Sequence, residues 1–434
     1  MKEPDMRALA LDVLLEISEN GVFSQEALGG ALSKYQYLEK RERAFLTRLV
    51  EGTLDYHIRL DYVIDQFSRT PIKKQRPVIR EILRMSVYQM MFMDSVPDRA
   101  VCDEAVKLAR KRGLAGLAGF VNGVLRNISR GLEEVSYPSG NDTAEYLSVI
   151  YSMPEWIVET WLELYGKDRT KAALKSFLEE RPLYIRVNRR RTSVTELAML
   201  MEDAGVTAEA VPGADFALKV SGYDYPEALP GFADGLFWIQ DLSSMLAADE
   251  ACTSEGALCV DVCAAPGGKS FCLAEAAGNQ GCVEARDISA SKAVKIREGA
   301  SRLHFDNINV SVRDARALDE ALVGRADVVL ADLPCSGLGV LGRKPDLKYR
   351  ITPDQIDELQ KLQREILETV QSYVKPGGVL IYSTCTVSRR ENEENADWFA
   401  ANFPFEEVIS RQLLPGDGGS DGFFISKFIR KAVP

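Results

Sequence analysis

The sequence predicts a multidomain protein: an all-helical bundle, a small α+β module, and a doubly wound α/β domain built on a mostly parallel sheet. Three observations lead there. The chain has 434 residues, more than one hydrophobic core usually serves. Apolar residues keep helical spacing through about the first 130 positions. From about residue 241, short apolar runs alternate with helical stretches, the pattern of βαβ units. The expected domains are therefore 1–135, 142–240 and 241–434.

In the bundle, Leu9, Val13, Leu14 and Ile17 make the first stripe. Phe45, Leu49 and Gly52 follow, then Leu60, Val63, Ile64 and Phe67. Val78, Ile82, Met85 and Met90 mark the next helix, and Val101, Ala105 and Leu108 lie on one opened by Pro97-Asp98. Val121, Val124, Leu125 and Ile128 mark the last. Stripes of this kind are core faces. Gly131 to Asn141, with Tyr137-Pro-Ser-Gly140, reads as a linker.

In the middle module, Leu183 to Asn188 alternates as a strand, Ser193 to Ala204 reads as a capped helix stopped by Gly205, and 217–220 and 236–239 read as further strands. The last domain reads as strand 257–262, a helix from 269, strand 282–288, helix 290–303, strands 308–312 and 326–331, helix 353–375, strand 378–383, helix 390–402 and a β-rich tail ending in Phe423 to Ile429. Two helix starts carry capping-box signatures, Thr352-Pro-Asp-Gln355 and Ser388-Arg-Arg-Glu391.

Composition excludes several classes. With 46% hydrophobic and 27% charged residues, and no stretch near the ~20 apolar residues of a membrane span, the expectation is a monomeric cytoplasmic protein without a signal peptide. Eight cysteines form no Cys-x-x-Cys pair, and His57 and His304 are the two histidines. A metal site is not expected, and a histidine-activated nucleophile has almost no candidates. The net charge of −11 argues mildly against nucleic acid. Basic clusters at 73–80, 107–112, 126–130, 186–191 and 343–350 nonetheless suggest a polyanion track.

The chemistry-bearing strings lie in the last domain. Asp261-Val-Cys263-Ala264-Ala265-Pro266-Gly267-Gly268-Lys269 follows an apolar strand and opens a helix. Its two glycines let the backbone approach a ligand closely. Asp287 lies 19 residues past Gly268, at the end of the next strand, where an acid holds ribose hydroxyls. Asp314 follows the third strand. The loop is neither Gly-x-Gly-x-x-Gly nor a phosphate loop, so S-adenosylmethionine fits better than a dinucleotide. Asp332-Leu-Pro-Cys335-Ser-Gly and Ser383-Thr-Cys385 then follow the fourth and fifth strands. A lone cysteine is usually a small core hydrophobe, but ligands bind at these strand ends. Lys269 and helix N-termini are expected to lower a thiol pKa there.

Together the three strings resemble the RNA cytosine-5 methyltransferases of the Nop2/Sun type, in order and placement through the final 190 or so residues. Ala100-Val-Cys-Asp-Glu-Ala-Val-Lys and Phe120-Val-Asn-Gly-Val-Leu-Arg126 resemble the NusB-like RNA-binding bundle. Arg186-Val-Asn and Trp238-Ile-Gln-Asp-Leu-Ser-Ser244 resemble the small domain preceding that family's catalytic fold. The layout is similar to the bacterial Sun/Fmu branch, whose members act on a cytosine of 16S ribosomal RNA. Leu333 stands where the family usually carries alanine or proline.

The resemblance implies a Rossmann-like methyltransferase domain that takes S-adenosylmethionine on residues 263–269, Asp287, Asp314 and Asp332. It implies that Cys385 attacks cytosine C6, Cys335 assists release, Asp332 binds the N3/N4 edge of the base, and Lys269 positions Asp332 or the base. The residues alone leave the cysteine roles open, since DNA cytosine methyltransferases use a Pro-Cys string like Pro334-Cys335. Transfer RNA is the alternative substrate. A non-catalytic NusB-like RNA-binding or antitermination factor is the alternative class.

Overall fold

A computed structural model describes residues 5–432. These form two compact units: one holds the described residues up to Glu179 together with Leu341–Arg350, the other Glu180–Val340 and the described residues from Ile351 on.

The first unit is helical. Helices Met6–Glu19, Ser24–Lys34, Lys40–Asp55, His57–Phe67, Pro77–Phe92, Asp98–Lys111 and Ala118–Gly131 bury the expected stripes, with Leu11, Leu14, Leu49, Leu60, Ile64, Ile82 and Leu125 in one core. Gly52 permits a close helix crossing, because a Cβ there would fall 2.0 Å from the Tyr88 ring. Helices Ala144–Tyr151 and Glu155–Ser176 also belong to this unit.

The segment 341–350 overturns one expectation. Lys348 and Arg350 are not part of an open basic track. Lys348 is buried and donates to the carbonyl of Asp55 at 2.9 Å; burial pushes its pKa down to about 8. Arg350 donates to the carbonyls of Gly21 and Val22 at 2.6 Å each. Asp346 accepts from the Ser24 hydroxyl at 2.5 Å. These cations satisfy carbonyls left open at helix ends and in a turn, where positive charge is favoured. Arg186, in another basic cluster, is likewise buried, stacked over Phe216 and paired with Glu275.

The second unit contains two sheets. The smaller is antiparallel, order β2-β3-β1-β4, from β1 Leu183–Val187, β2 Thr207–Val211, β3 Ala214–Ser221 and β4 Phe237–Ile239. β2 is an addition to the sequence reading. It is a mostly exposed edge strand with too little apolar alternation to declare itself.

The larger sheet comprises β5 Leu258–Asp261, β6 Cys282–Asp287, β7 Ile308–Val312, β8 Ala326–Asp332, β9 Val374–Thr384, β10 Phe405–Leu413 and β11 Phe423–Arg430. Its order is β10-β11-β9-β8-β5-β6-β7. The run from β9 to β7 is parallel, and β11 and β10 close the far edge antiparallel. The chain builds outward from β5 through β6 to β7, then returns to place β8 on the other side of β5. That reversal is the topological switch point, and ligands bind beyond its carboxyl ends.

Two local readings are corrected. The helix from Pro353 ends at Val370 rather than 375, and a 3-10 turn, Gln371–Tyr373, leads into the longer strand β9. The Thr352–Gln355 capping box forms, but Ser388–Glu391 is no helix start. The helix begins at Glu393, behind Asn392, and the Glu391 carboxylate bonds partners beyond Ser388, described below.

Candidate active site

The site is assembled from loops at the carboxyl ends of β5, β6, β8 and β9. β5 delivers Asp261, which is buried. One of its carboxylate oxygens accepts from the Ser270 hydroxyl at 2.6 Å, while Oδ1 has no protein partner. Burial, reinforced by the Asp332 charge, pushes its pKa up to about 7. The loop 263–267 is pinned to the neighbouring strand by the Ala264 amide, which donates to the Arg286 carbonyl at 2.7 Å. Gly267 is required, with φ of +115° and a Phe271 ring 2.4 Å from where a Cβ would sit. Helix Gly268–Ala277 follows at once.

The first residue after that helix start, Lys269, reaches across to β8. Its ammonium lies 2.7 Å from Asp332 Oδ2. Burial opposes the lysine charge, but Asp332, with Asp261 and Cys385 beyond it, raises the pKa above the ordinary lysine value. Asp332 Oδ1 accepts from the Ser383 hydroxyl at 2.9 Å. The acid is thus held by a cation from one side and by β9 from the other.

Asp287 ends β6 and is buried, with Oδ1 accepting the Ser289 amide at 2.9 Å. Ile288, which sequence reasoning passed over, is 64% exposed. An apolar side chain left open beside an acid at a ligand-binding edge offers a flat surface for a purine, and its position after Asp287 was the available signal. Asp314 lies past β7 and pairs with Arg316 at 2.8 Å, which draws its pKa down.

Cys335 and Cys385 come together. Their sulfurs are 3.4 Å apart, although 50 residues separate them in the chain. The Gly339 amide donates to the Cys385 carbonyl at 3.0 Å, tying the two loops. The Cys335 thiol is pushed well above its ordinary pKa, first by its hydrogen bond to Cys385 and then by burial. For Cys335 that is the reverse of the lowered thiol pKa expected from Lys269 and the helix N-termini, because the neighbouring sulfur and burial act in the opposite direction. Cys263 is also held protonated, by burial.

Several polar residues around the thiols carry no catalytic motif, and Glu391 is read from sequence as a helix cap. Glu391 accepts from the Ser336 amide and hydroxyl at 2.8 and 2.5 Å. Thr386, Gln363 and Asn392 complete the buried cluster.

A seven-stranded, mostly parallel sheet with a glycine loop after its first strand and an acid after its second defines an S-adenosylmethionine-dependent methyltransferase. The glycines, which would be crowded by a Cβ, and the buried Asp287 fit that cofactor. Within that class, the description "16S rRNA methyltransferase RsmB/F" matches residues 251–429. The NusB family description matches 4–130, and a ferredoxin-like domain of RsmF/B-like methyltransferases matches 153–223.

Probable ribosomal RNA small subunit methyltransferase B of Bacillus subtilis is 36% identical over 99% of this chain and 100% of its own length. The protein of the same description from Synechocystis is 34% identical over 98% and 99%. The crystal structure of PH0851 superposes with a TM-score of 0.83 at 26% identity, covering 98% of this chain and 99% of that one. NSun6 from Pyrococcus horikoshii, solved with SFG, shares the fold at 22% identity, a TM-score of 0.60, and coverage of 65% of this chain and 100% of its own. The chain belongs to the RsmB/F family of 16S rRNA methyltransferases, and its cofactor is S-adenosylmethionine. Among the described residues, no helix is long and apolar enough to cross a membrane.

Proposed function

We propose that the chain methylates C5 of a cytosine in 16S ribosomal RNA through a covalent cysteine adduct. The observation that carries this reading is the pair of thiols 3.4 Å apart beside the Lys269–Asp332 ion pair. Cytosine C5 is a weak nucleophile, and a thiol is useful only if it changes that. Addition of the Cys385 thiolate to C6 forms an S–C6 bond and pushes the C5=C6 electron pair onto C5. When bound, S-adenosylmethionine supplies an electrophilic methyl group to that carbon. Transfer of the C5 proton to a water-borne base then re-forms the C5=C6 double bond and expels the Cys385 thiolate.

Cys335, whose proton is retained, supports Cys385 as the attacking sulfur and acts itself at the release stage. Asp332 hydrogen-bonds the N3/N4 edge and stabilises charge developing on the ring. Lys269 fixes Asp332. Residues 263–269 and Asp287 hold the cofactor, Ile288 faces its base, and Asp314 serves the adenine side. The helical bundle, with exposed Lys73, Lys74, Arg76, Arg110 and Lys111, contributes RNA affinity through phosphate contacts.

Incubating the full chain with 16S RNA and labelled cofactor, followed by nucleoside analysis, should yield 5-methylcytosine; label on any other nucleoside refutes the position. On denaturing gels, Cys335→Ala should accumulate a protein–RNA band and Cys385→Ala should show none. The reverse pattern exchanges the roles.

A further inference from the structure

The residues flanking each thiol converge on two consecutive buried side chains, Glu391 and Asn392, both fully buried. Glu391 addresses the Cys335 loop. Its Oε1 accepts from the Ser336 amide at 2.8 Å and from Gln363 Nε2 at 3.2 Å, and its Oε2 accepts from the Ser336 hydroxyl at 2.5 Å. Gln363 in turn donates to the Pro334 carbonyl at 2.8 Å. Cys335 is therefore gripped on both sides in sequence, at Pro334 and at Ser336. Asn392 addresses the Cys385 loop in the same way. Its Oδ1 accepts from the Thr384 hydroxyl at 2.5 Å, and its Nδ2 donates to the Thr386 carbonyl at 3.1 Å.

The proton order follows from valence. In its ionised form Glu391 only accepts, and the single Ser336 hydroxyl hydrogen then goes to it. The 2.6 Å contact between the Ser336 and Thr386 hydroxyls must then run from Thr386 to Ser336. One directed chain, Thr386 to Ser336 to Glu391, thus joins the residue after Cys385 to the residue after Cys335. Ser336, Thr386 and Glu391 are all buried, and the Tyr382 hydroxyl donates to the Glu391 carbonyl.

We propose that Glu391 and Asn392 are a paired positioning device for the methyl-transfer chemistry, Glu391 setting the place of Cys335 and Asn392 that of Cys385. This rests on the two-cysteine reading above and extends it to residues that touch neither base nor cofactor. A shared structural role would make the two residues interchangeable in their effects. The geometry assigns them different thiols, so their variants must differ as the cysteines differ.

The test uses the full chain with 16S RNA, alongside Cys335→Ala and Cys385→Ala. Glu391→Gln keeps an acceptor for the Ser336 amide but reverses the hydroxyl chain; Asn392→Ala removes both grips on the Cys385 loop. Glu391→Gln should copy Cys335→Ala, with more denaturant-resistant protein–RNA band than wild type and slowed release. Asn392→Ala should copy Cys385→Ala, with less band and a single-turnover rate lower by on the order of 10²-fold, the cost of a small misplacement of reacting groups. Cofactor affinity should stay at the wild-type value in both. Ser336→Ala and Thr384→Val each remove the hydroxyl link from the other side with little change of shape, and they decide the matter should the first pair fold poorly. If the cysteine variants show exchanged roles, the reading of the chemistry fails while the pairing survives, provided that each positioning variant still follows its own cysteine. Identical effects of the Glu391 and Asn392 variants, or wild-type behaviour of both, overturn the pairing.

Discussion

Two regions of the large sheet hold cysteines in opposite circumstances. Cys259 lies in the middle of β5, paired in register with Val283 on one side and Val328 on the other. Cys272 lies on the buried face of the following helix. Burial pushes their pKa values up to about 12 and about 11, with removal from water the leading cause in each. Cys335 and Cys385 lie past the ends of β8 and β9, and the leading cause of the Cys335 shift is the other sulfur. Cys259, Cys272 and Cys335 are all shifted upward, for unlike reasons. In the strand interior the environment simply rejects charge. At the strand mouth the leading cause is a hydrogen bond between two sulfurs, a contact that an incoming base can rearrange. Place along the strand, not residue type, separates packing from function.

The largest expected effect breaks this comparison outright if it fails. Cys385→Ala should reduce single-turnover methylation by at least ~10³-fold, because the step it removes has no substitute nucleophile. Cys259→Ala and Cys272→Ala should leave the same rate within about two-fold, as expected for substitutions that change only packing. A comparable loss from Cys272→Ala would mean that the core cysteines are not inert.

Next in size is the ion pair beside the thiols. Lys269→Met leaves the Asp332 carboxylate without the partner 2.7 Å away and, on the proposed mechanism, removes the charge that positions the acid. A loss of about 10²–10³-fold in kcat is expected, the scale for deleting one preorganised electrostatic group. Stopped-flow or quench measurements with saturating RNA read it directly. A change confined to KM would place Lys269 in RNA binding instead.

How much of this was legible in the sequence follows from how local each signal is. β5 and β8 emerged because parallel strands buried on both faces read as continuous apolar runs, while β6 and the edge strand β7 alternate apolar with polar residues. The loop 263–269, Asp287, Asp332, Cys335 and Cys385 were legible because each sits in a short string at a strand end. β2 was not, since an exposed edge strand has no apolar face to display. Ser388–Glu391 has every mark of a capping box, and the same Ser-x-x-Glu spacing is satisfied in fact at Ser193–Glu196. What differs at Glu391 is a competing partner 55 residues away, the Ser336 amide and hydroxyl. A pattern four residues long cannot reveal that competition. The burial of Lys348 and the tethering of Arg350 escaped for the same reason, because their partners are carbonyls at the ends of other elements.

A smaller effect sharpens the cofactor side. Asp287→Ala removes a buried carboxylate at the end of β6 and should weaken S-adenosylmethionine binding by about 1–3 kcal/mol, the range for a hydrogen bond to a charged group. Calorimetry on the full chain measures it, and the Cys335–Cys385 chemistry should survive once the cofactor is saturating. Unchanged affinity would retire Asp287 as a ligand.

The smallest expected effect concerns stability alone and returns to the buried thiol. Cys259→Ala trims one well-packed sulfur from the middle of β5, at a cost of about 1 kcal/mol near neutral pH, the ordinary size for a point change. The sign of its pH dependence is fixed. The folded thiol has a pKa raised from 9.0 to about 12, so in that window the folded chain binds a proton that the unfolded chain releases. The thiol's contribution is therefore complete below pH 9 and falls as pH rises, by up to about 1.4 kcal/mol per unit. The alanine variant lacks this loss. Urea unfolding under reducing conditions should show the wild type ahead at pH 7.5, the gap closing above pH 9, and the variant level or ahead by pH 10. A gap that stays constant across that range would mean that Cys259 ionises as freely in the fold as in water, and the contrast between strand interior and strand mouth would lose its physical basis.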